Sequence, residues 1–249
     1  MKLAPFPLAV AAALTFTLAA CGEDQPSGAV SPSASTPTAP VSTPAEPTPS
    51  ETPTEVGPTQ RTKSELTKAL LELKDLPSGF SLEPEDSDDE SAGTFSSPTS
   101  KCKTLVKYLN SEKAPGSKTS AARSFSGSQE GPYIDFGIDS MVTTKAVRKL
   151  QTSYKEAVES CKKVTMRVPG QGSSPMEVVE IPAPEFGEEP FAFKLTGTAG
   201  PLEGREFTAA TTGIGDVILS VSILAGQEGE LDGATEAAVE KARTVLADS

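Results

Sequence analysis

The chain has 249 residues but no histidine, no tryptophan and only three cysteines, Cys21, Cys102 and Cys161. Without histidine there is no Ser-His-Asp triad, no Cys-His nucleophile pair, no HExxH zinc site and no imidazole pH switch. No two cysteines stand in C-x-x-C spacing, so the dithiol motif of a redox catalyst is missing too. Basic residues are outnumbered: 22 Lys and Arg against 34 Asp and Glu, for a net charge of −12. An acidic chain is repelled by nucleic acid and by anionic headgroups. No nucleic-acid partner is therefore expected, and attachment to a membrane must rest on something other than a basic patch. Long unbroken apolar runs are scarce as well. The stretch from Leu3 to Ala20 is interrupted by Pro5, Pro7, Thr15 and Thr17, whereas a spanning helix needs about 20 apolar residues with few breaks.

That same stretch reads well as something else. Lys2 is a short charged start, Leu3 to Ala20 an apolar segment, and Leu18-Ala19-Ala20-Cys21 a lipobox. Small residues at Ala19 and Ala20 let a peptidase approach the backbone, and the Cys21 thiol is the atom that takes a diacylglyceryl group. The alternative is a plain signal peptide with a chance cysteine. The expectation is a lipoprotein signal over residues 1–20, lipidation at Cys21 and a place at the extracytoplasmic face of the cell membrane. The membrane is then the partner, reached through the anchor.

Residues 21–60 change character. Between Gly22 and Gln60 there are nine Pro and thirteen Ser or Thr, with Glu23, Asp24, Glu46, Glu51 and Glu55 but no Lys or Arg. Such a segment has too little apolar surface to offset the entropy of ordering, so it reads as a Pro-stiffened tether. Thr36-Pro37, Thr43-Pro44, Thr48-Pro49 and Thr52-Pro53 would be candidate O-mannosylation sites. At about 3.1 Å per residue its extended reach is roughly 120 Å, and as a coil nearer 35 Å.

Residues 61–249 are long enough for one domain with a real core. Thr62-Lys63-Ser64-Glu65 has capping-box spacing, followed by Leu66, Ala69, Leu70 and Leu73 at helical spacing. A second short helix opens at Pro98-Thr99-Ser100, with Cys102, Leu105, Val106 and Leu109 on one face. Strands are expected over Ala121–Ser126 and Tyr133–Val142, where Ile134, Phe136 and Ile138 alternate with Asp135, Gly137 and Asp139. Thr143 or Thr144 caps the longest helix, whose stripe is Val147, Leu150, Tyr154, Val158 and Cys161. Short strands follow at Val164–Val168, Glu177–Ile181, Phe191–Thr196, Phe207–Thr212 and Val217–Ile223. Turns are expected at Ala199–Gly204 and Gly213–Asp216, and a last helix capped by Asp232. The order points to an antiparallel β-sheet flanked by helices, α+β rather than βαβ.

Little in this domain suggests chemistry. Asp86, Asp88 and Glu90 have the start of an EF-hand loop, but Ser91 and Ser97 stand where Gly and Glu are required. No metal and no cofactor is expected. Ser100-Lys-Cys-Lys103 and Ser160-Cys-Lys-Lys163 match Ser-x-x-Lys. The mimics of the companion elements, Tyr108-Leu-Asn110 and Lys118-Thr-Ser120, lie within about twenty residues of the first match, too few to build separate walls of a cleft. Gly213-Ile-Gly215 lacks the third Gly of a dinucleotide fingerprint. Cys102 and Cys161 both fall on apolar helical stripes, as two buried thiols or as one disulfide, and an even pair in an exported chain favours the bridge.

Several of these features occur together, in order: the lipobox, the Thr/Pro tether and a first helix running into Leu-Leu-Glu-Leu-Lys-Asp-Leu-Pro-Ser-Gly-Phe80. Cys102 then opens a short helix, Ser160-Cys161-Lys162 ends a long one, and a strand pair flanks Gly213–Asp216. In this the chain resembles actinobacterial lipoproteins related to the extracellular sensor domain of receptor serine/threonine kinases. The resemblance implies a curved antiparallel sheet with flanking helices and a groove for a ligand. It assigns no binding or catalytic residue here. The kinase sensor domain carries two disulfides, and this chain can form one. The expectation is a non-enzymatic binding or sensing module. A carrier of lipid or other apolar ligands, and an enzyme of unrecognised type, stand as alternatives. The strand residues Phe191, Phe193, Phe207, Leu219, Val221 and Ile223 are expected to share an inner face, and a cavity along it would favour the carrier.

Overall fold

In the computed structural model, which describes residues 60–84, 93–128 and 131–247, Thr62 opens the first helix, α1 (Lys63–Ala69). The Thr62 side chain accepts from the Glu65 backbone N–H at 3.3 Å, and the Glu65 carboxylate accepts from Thr62 N–H at 2.6 Å. This closed capping box satisfies two otherwise unpaired helix donors. The signal segment, Cys21, all but the last residue of the tether, and Asp86, Asp88 and Glu90 lie outside the described residues.

The remaining elements form one antiparallel sheet of nine strands with helices on both sides. They run β1 (Ser81–Leu82), β2 (Thr94–Ser96), α2 (Lys103–Leu109), β3 (Thr119–Ser126), β4 (Tyr133–Ser140), α3 (Thr144–Ser160), β5 (Lys163–Val168), β6 (Gly172–Ile181), β7 (Glu188–Gly197), β8 (Glu206–Ile214), β9 (Val217–Leu224) and α4 (Glu230–Ala247). The strand order is β1-β3-β4-β9-β8-β7-β6-β5-β2. The class is α+β, as the pattern of elements implied.

Helices cover the two faces at different ends. On one face α1 and α4 lie over β3, β4, β9 and β8, burying Leu66, Leu70, Phe125, Phe136, Val221 and Ala242. On the other, α3 lies over β6, β7 and β8 and carries α2, burying Leu105, Val158, Met176, Leu195 and Phe193. Thr143 caps α3, its hydroxyl accepting from Ala146 N–H at 3.2 Å. The offset leaves the second face uncovered by any helix core above β3, β4 and much of β9. There Ala122 and Asp135 are exposed, while Ser124, Gly137, Ser220 and Ser222 are half-buried.

Cys102 and Cys161 are joined by a disulfide, with sulfurs 2.06 Å apart and a sequence separation of 59. Cys102 ends a single 3-10 turn leading into α2, and Cys161 is the C-terminal cap of α3. The bridge therefore fastens α2 to the C-terminal end of α3, which at 17 residues is one shorter than α4 and so not the longest helix as expected.

The structure corrects several sequence-based expectations. Helix α1 stops at Ala69, because Leu70 takes an extended conformation (φ −72°, ψ 150°). Leu73 falls in a 3-10 turn with 46% exposure, and Leu70 and Leu71 enter the core instead. Strand β4 ends at Ser140, and Val142 takes φ +69°. Strand β6 begins at Gly172 rather than Glu177, passing through Pro175, and β8 continues to Ile214. The Ile214–Val217 pair leaves only Gly215 and Asp216 to turn the chain, with Gly215 at φ +59°. Helix α4 starts at Glu230, so Asp232 lies inside its first turn and is not the cap. The expected common face divides: Phe193 is paired with Ala209, which is paired with Ser222. Phe191, Phe193 and Phe207 thus belong to the face under α3, while Leu219, Val221 and Ile223 belong to the face under α1 and α4.

Candidate ligand groove

The register of the uncovered face sets out its chemistry. One cross-strand row reads Ala122, Gly137, Ser220, Thr211, Phe191, and the next reads Ser124, Asp135, Ser222, Ala209, Phe193. Each row goes from small and polar at β3 to aromatic at β7. All of these but Asp135 and Phe191 line the floor of a groove of about 770 Å³, with Lys63, Lys113 and Arg123 among its other lining residues. One wall is α2 with the loop behind it, presenting Leu105, Tyr108, Leu109 and Ser111 to Ala114, and the other rim is Leu82, Glu83 and Pro84. Tyr154 of α3 and Phe193 and Phe207 of the sheet close the aromatic end.

The floor is low because its central side chains are nearly absent. A Cβ on Gly137 would stand 2.6 Å from the Ser220 hydroxyl, so the glycine keeps that hydroxyl in place. The wall is held by three separate devices. One is the disulfide. A second is Asn110, whose carboxamide accepts from Phe95 N–H at 2.8 Å and donates to Phe95 O at 2.7 Å. The third is a ring contact between Tyr108 and Tyr154, with centroids 4.5 Å apart, joined by a 2.7 Å hydrogen bond between the Tyr108 and Ser153 hydroxyls.

Two polar groups in the groove are unusual. Thr211, 8% exposed, has a buried hydroxyl with no hydrogen-bond partner. A buried hydroxyl without a partner is costly, and native structures contain few. Asp139, expected on the solvent side of β4 by alternation, is only 5% exposed. The loop after α2 folds over it, and its carboxylate accepts from Ala114 N–H at 3.1 Å. Burial pushes the Asp139 carboxyl above the ordinary carboxylate range, against the opposing pull of Ser117, the Ala114 N–H and Lys113. Burial likewise raises the Tyr154 phenol, with smaller contributions from Asp139 and Tyr108, so the ring keeps its proton.

The residues singled out from sequence mostly lie elsewhere. Ser160 donates back to the carbonyls of Glu156 and Ala157 within its own helix, so it is a helix-end hydroxyl. Gly213 sits inside β8 and Gly215 in a two-residue turn, not at a helix start. Among the described residues no group of three or more Cys, Asp or Glu is placed to hold a metal ion. No described helix is long and apolar enough to cross a membrane. What sequence reasoning missed is the Thr211, Tyr108 and Tyr154 constellation. The alternations at Asp135 to Asp139 and Ser220 to Ser222 did show the polar face of two strands, but not that they are neighbours.

Fold and groove together define an antiparallel α+β domain with a ligand-sized depression on its sheet. The fold is similar to that of the extracellular domain of PknH from Mycobacterium tuberculosis, at TM-score 0.56 and 17% identity, covering 77% of this chain and 100% of that one. The likeness is one of fold, and it agrees with the sensor-domain resemblance read from the sequence. A second solved structure, an uncharacterised protein from Mycobacterium smegmatis (Rv0999 ortholog), aligns at TM-score 0.32 and 11% identity over 70% of this chain and 90% of that one. No family model matches the sequence, and no curated protein matches it significantly.

Proposed function

We propose that this chain is a lipid-anchored extracytoplasmic lipoprotein whose domain, residues 61–249, is a non-enzymatic module that binds or senses a small ligand in the groove. The observation that carries the reading is the groove itself, where the Ser124, Ser220 and Ser222 side chains of the floor lie beside the aromatic rings of Tyr108, Tyr154, Phe193 and Phe207. Pockets of several hundred Å³ lined by apolar side chains and a few convergent polar groups are the usual form of a small-molecule site. The shared fold with an extracellular domain supports the extracytoplasmic part of the reading. The lipobox at Cys21 supports the anchor, and the segment between Cys21 and Gln60 is the tether that lets the domain stand off the membrane.

The groove reading is tested with a variant that fills it from an exposed position. Ala122 is exposed at the β3 end of the floor, so Ala122→Phe should fold. Incubated with an envelope extract, the wild-type chain should gain melting temperature by mass action and the variant should not. Equal responses from both would overturn the reading. Leu105, Leu109, Phe193 and Phe207 on the wall favour a second reading, a carrier of apolar molecules. Native mass spectrometry of detergent-free protein separates the two, because only a carrier retains lipid through purification. The anchor has its own test: Cys21→Ser should leave the membrane fraction or remain unprocessed. A processed Cys21→Ser chain still bound to membranes at the wild-type level would refute lipidation.

A further inference from the structure

Resting on the groove as the binding site, we propose that its ligand is a short peptide in extended conformation, bound as an added strand along the bare edge of β3. The hydrogen bonds of β3 show where that edge lies. Gly127 N–H donates to Pro132 O at 2.9 Å, in the register that joins β3 to β4. Every second residue from there, Phe125, Arg123, Ala121 and Thr119, therefore turns its backbone N–H and C=O toward β4. Ser126, Ser124, Ala122 and Ser120 turn theirs to the other edge. The segment around β1 takes up the first two of these: Ser81 pairs with Ser126, and Glu83 N–H donates to Ser124 O at 2.9 Å. Among the described residues, none is paired with the outward backbone groups of Ala122 and Ser120.

The groove is built around that edge. Five consecutive residues of β3, Ser120 to Ser124, line it. Successive strand residues point to opposite faces, so the groove reaches both faces of the sheet and wraps the edge between them. A molecule lying on one face alone would meet only every second residue. Lys63 and Thr67 of α1 bound the edge on one face, and residues 111–114 bound it on the other. Free N–H and C=O groups on a strand edge are a template for another extended backbone, which carries its own donors and acceptors at the same spacing. The two sides also differ in charge. On the α1 side the charged lining residues are Lys63 and Arg123, the latter also donating to the Leu71 carbonyl at 2.6 Å. The lining carboxylates, Glu83, Glu112 and Asp139, are all on the other side, with Lys113. Peptide residues paired with Ala121 and Arg123 face α1, so acidic side chains belong there. Those paired with Ala122 and Ser120 face the α2 wall, where Tyr108 and Leu109 favour apolar ones.

The test uses the full chain and three end-blocked pentapeptides. The first alternates aspartate and valine, beginning with aspartate. The second has lysine for aspartate, and the third is the first with both valine nitrogens methylated. The first should bind saturably in the millimolar range or below. It should slow hydrogen exchange at the Ala122 and Ser120 amides and leave those of Ala121 and Arg123, already bonded to β4, unchanged. The methylated peptide keeps every side chain but loses the donors that face β3, and should not bind. Ala122→Pro removes an N–H that β4 does not use; proline is tolerated on an edge strand, so this variant should fold and lose binding. Lys63→Glu, at the exposed first residue of α1, should weaken the aspartate peptide about tenfold and favour the lysine one. Undiminished binding of the methylated peptide, or by a folded Ala122→Pro, would overturn the added strand. So would binding seen only after residues 86–91 are replaced by glycine and serine, because the chain's own segment would then be the occupant. If no peptide binds but a disaccharide or a lysophospholipid shifts the Gly137 and Ser220 amides, the peptide class falls and the groove reading stands. If no probe shifts them and Ala122→Phe also behaves as wild type toward an envelope extract, both fall.

Discussion

Breaking the Cys102–Cys161 bridge is the perturbation whose size can be worked from the structure. The two residues are 59 apart in sequence. In the chain-entropy description, closing a loop of that length removes about 4 kcal/mol of unfolded-state freedom. For a chain of 150 to 250 residues, each kcal/mol moves the melting temperature by roughly 2–4 °C. Cys102→Ala/Cys161→Ala should therefore melt about 8–16 °C below wild type. The wild-type chain in reductant should converge on the same value. The assay is thermal unfolding followed by circular dichroism, paired with thiol alkylation under denaturing, non-reducing conditions. Wild-type protein should show no alkylatable thiol at Cys102 or Cys161. The loss should also reach the groove: α2 carries Tyr108, and with the staple gone only Asn110 and the tyrosine contact hold that wall. A shift below about 2 °C would refute the reasoning, because it would mean the unfolded chain gains no freedom when the loop is opened. Two reactive thiols at these positions in unreduced protein would refute the bridge itself.

The other predictions concern single buried groups. Burial raises the folded-state pKa of Asp139 above its ordinary value of 3.8. The folded chain therefore holds that proton more tightly than the unfolded one, and the group's contribution is full below 3.8 and lost as pH rises through the folded value. Asp139→Asn, which keeps an acceptor for Ala114 N–H, should raise the melting temperature at pH 7. The gain should shrink as pH falls toward 4, and a difference independent of pH would contradict the assignment. Gln151, 3% exposed, donates from Nε2 to the carbonyls of Glu188 at 2.7 Å and Glu189 at 2.8 Å, where β7 is bulged against β8. Gln151→Leu removes both bonds, leaving Glu188 O with the longer 3.3 Å bond from the Thr212 hydroxyl, and should cost about 1–3 kcal/mol in urea unfolding; a cost below about 0.5 kcal/mol would show that water replaces the amide.

Local interactions were legible in the sequence because their rules act over a few residues. The box between Thr62 and Glu65 and the cap at Thr143 needed no tertiary information, since a side chain reaches a backbone N–H three residues on. Alternation at Ile134, Phe136 and Ile138 identified a strand with one buried face for the same reason. The α+β class followed from the order of such elements. Where local preference and packing diverged, the sequence misled. Periodicity continued α1 to Leu73, but Leu70 and Leu71 are both drawn into the core and the helix ends before them. Alternation sent Asp139 to solvent, but the loop after α2, 25 residues earlier in the chain at Ala114, folds over it and buries it.

By itself, then, the sequence determined what kinds of chemistry are possible: no imidazole, no C-x-x-C dithiol, a net negative charge and only three cysteines. Those are properties of composition and of short spacing, and no folding changes them. Tertiary structure alone decided which strands are neighbours, and so which side chains share a face. Strand order β3-β4-β9-β8-β7 puts Ala122 beside Gly137, Gly137 beside Ser220 and Ser220 beside Thr211, although they come from distant parts of the chain. It also put Phe193 and Val221, which alternation alone could not separate, on opposite sides of the sheet. The physical reason is that a strand's period of two says which residues share a side but not which side that is. Pairing sets the register, helix packing then chooses the covered half of each face, and the groove is what the offset of those helices leaves open.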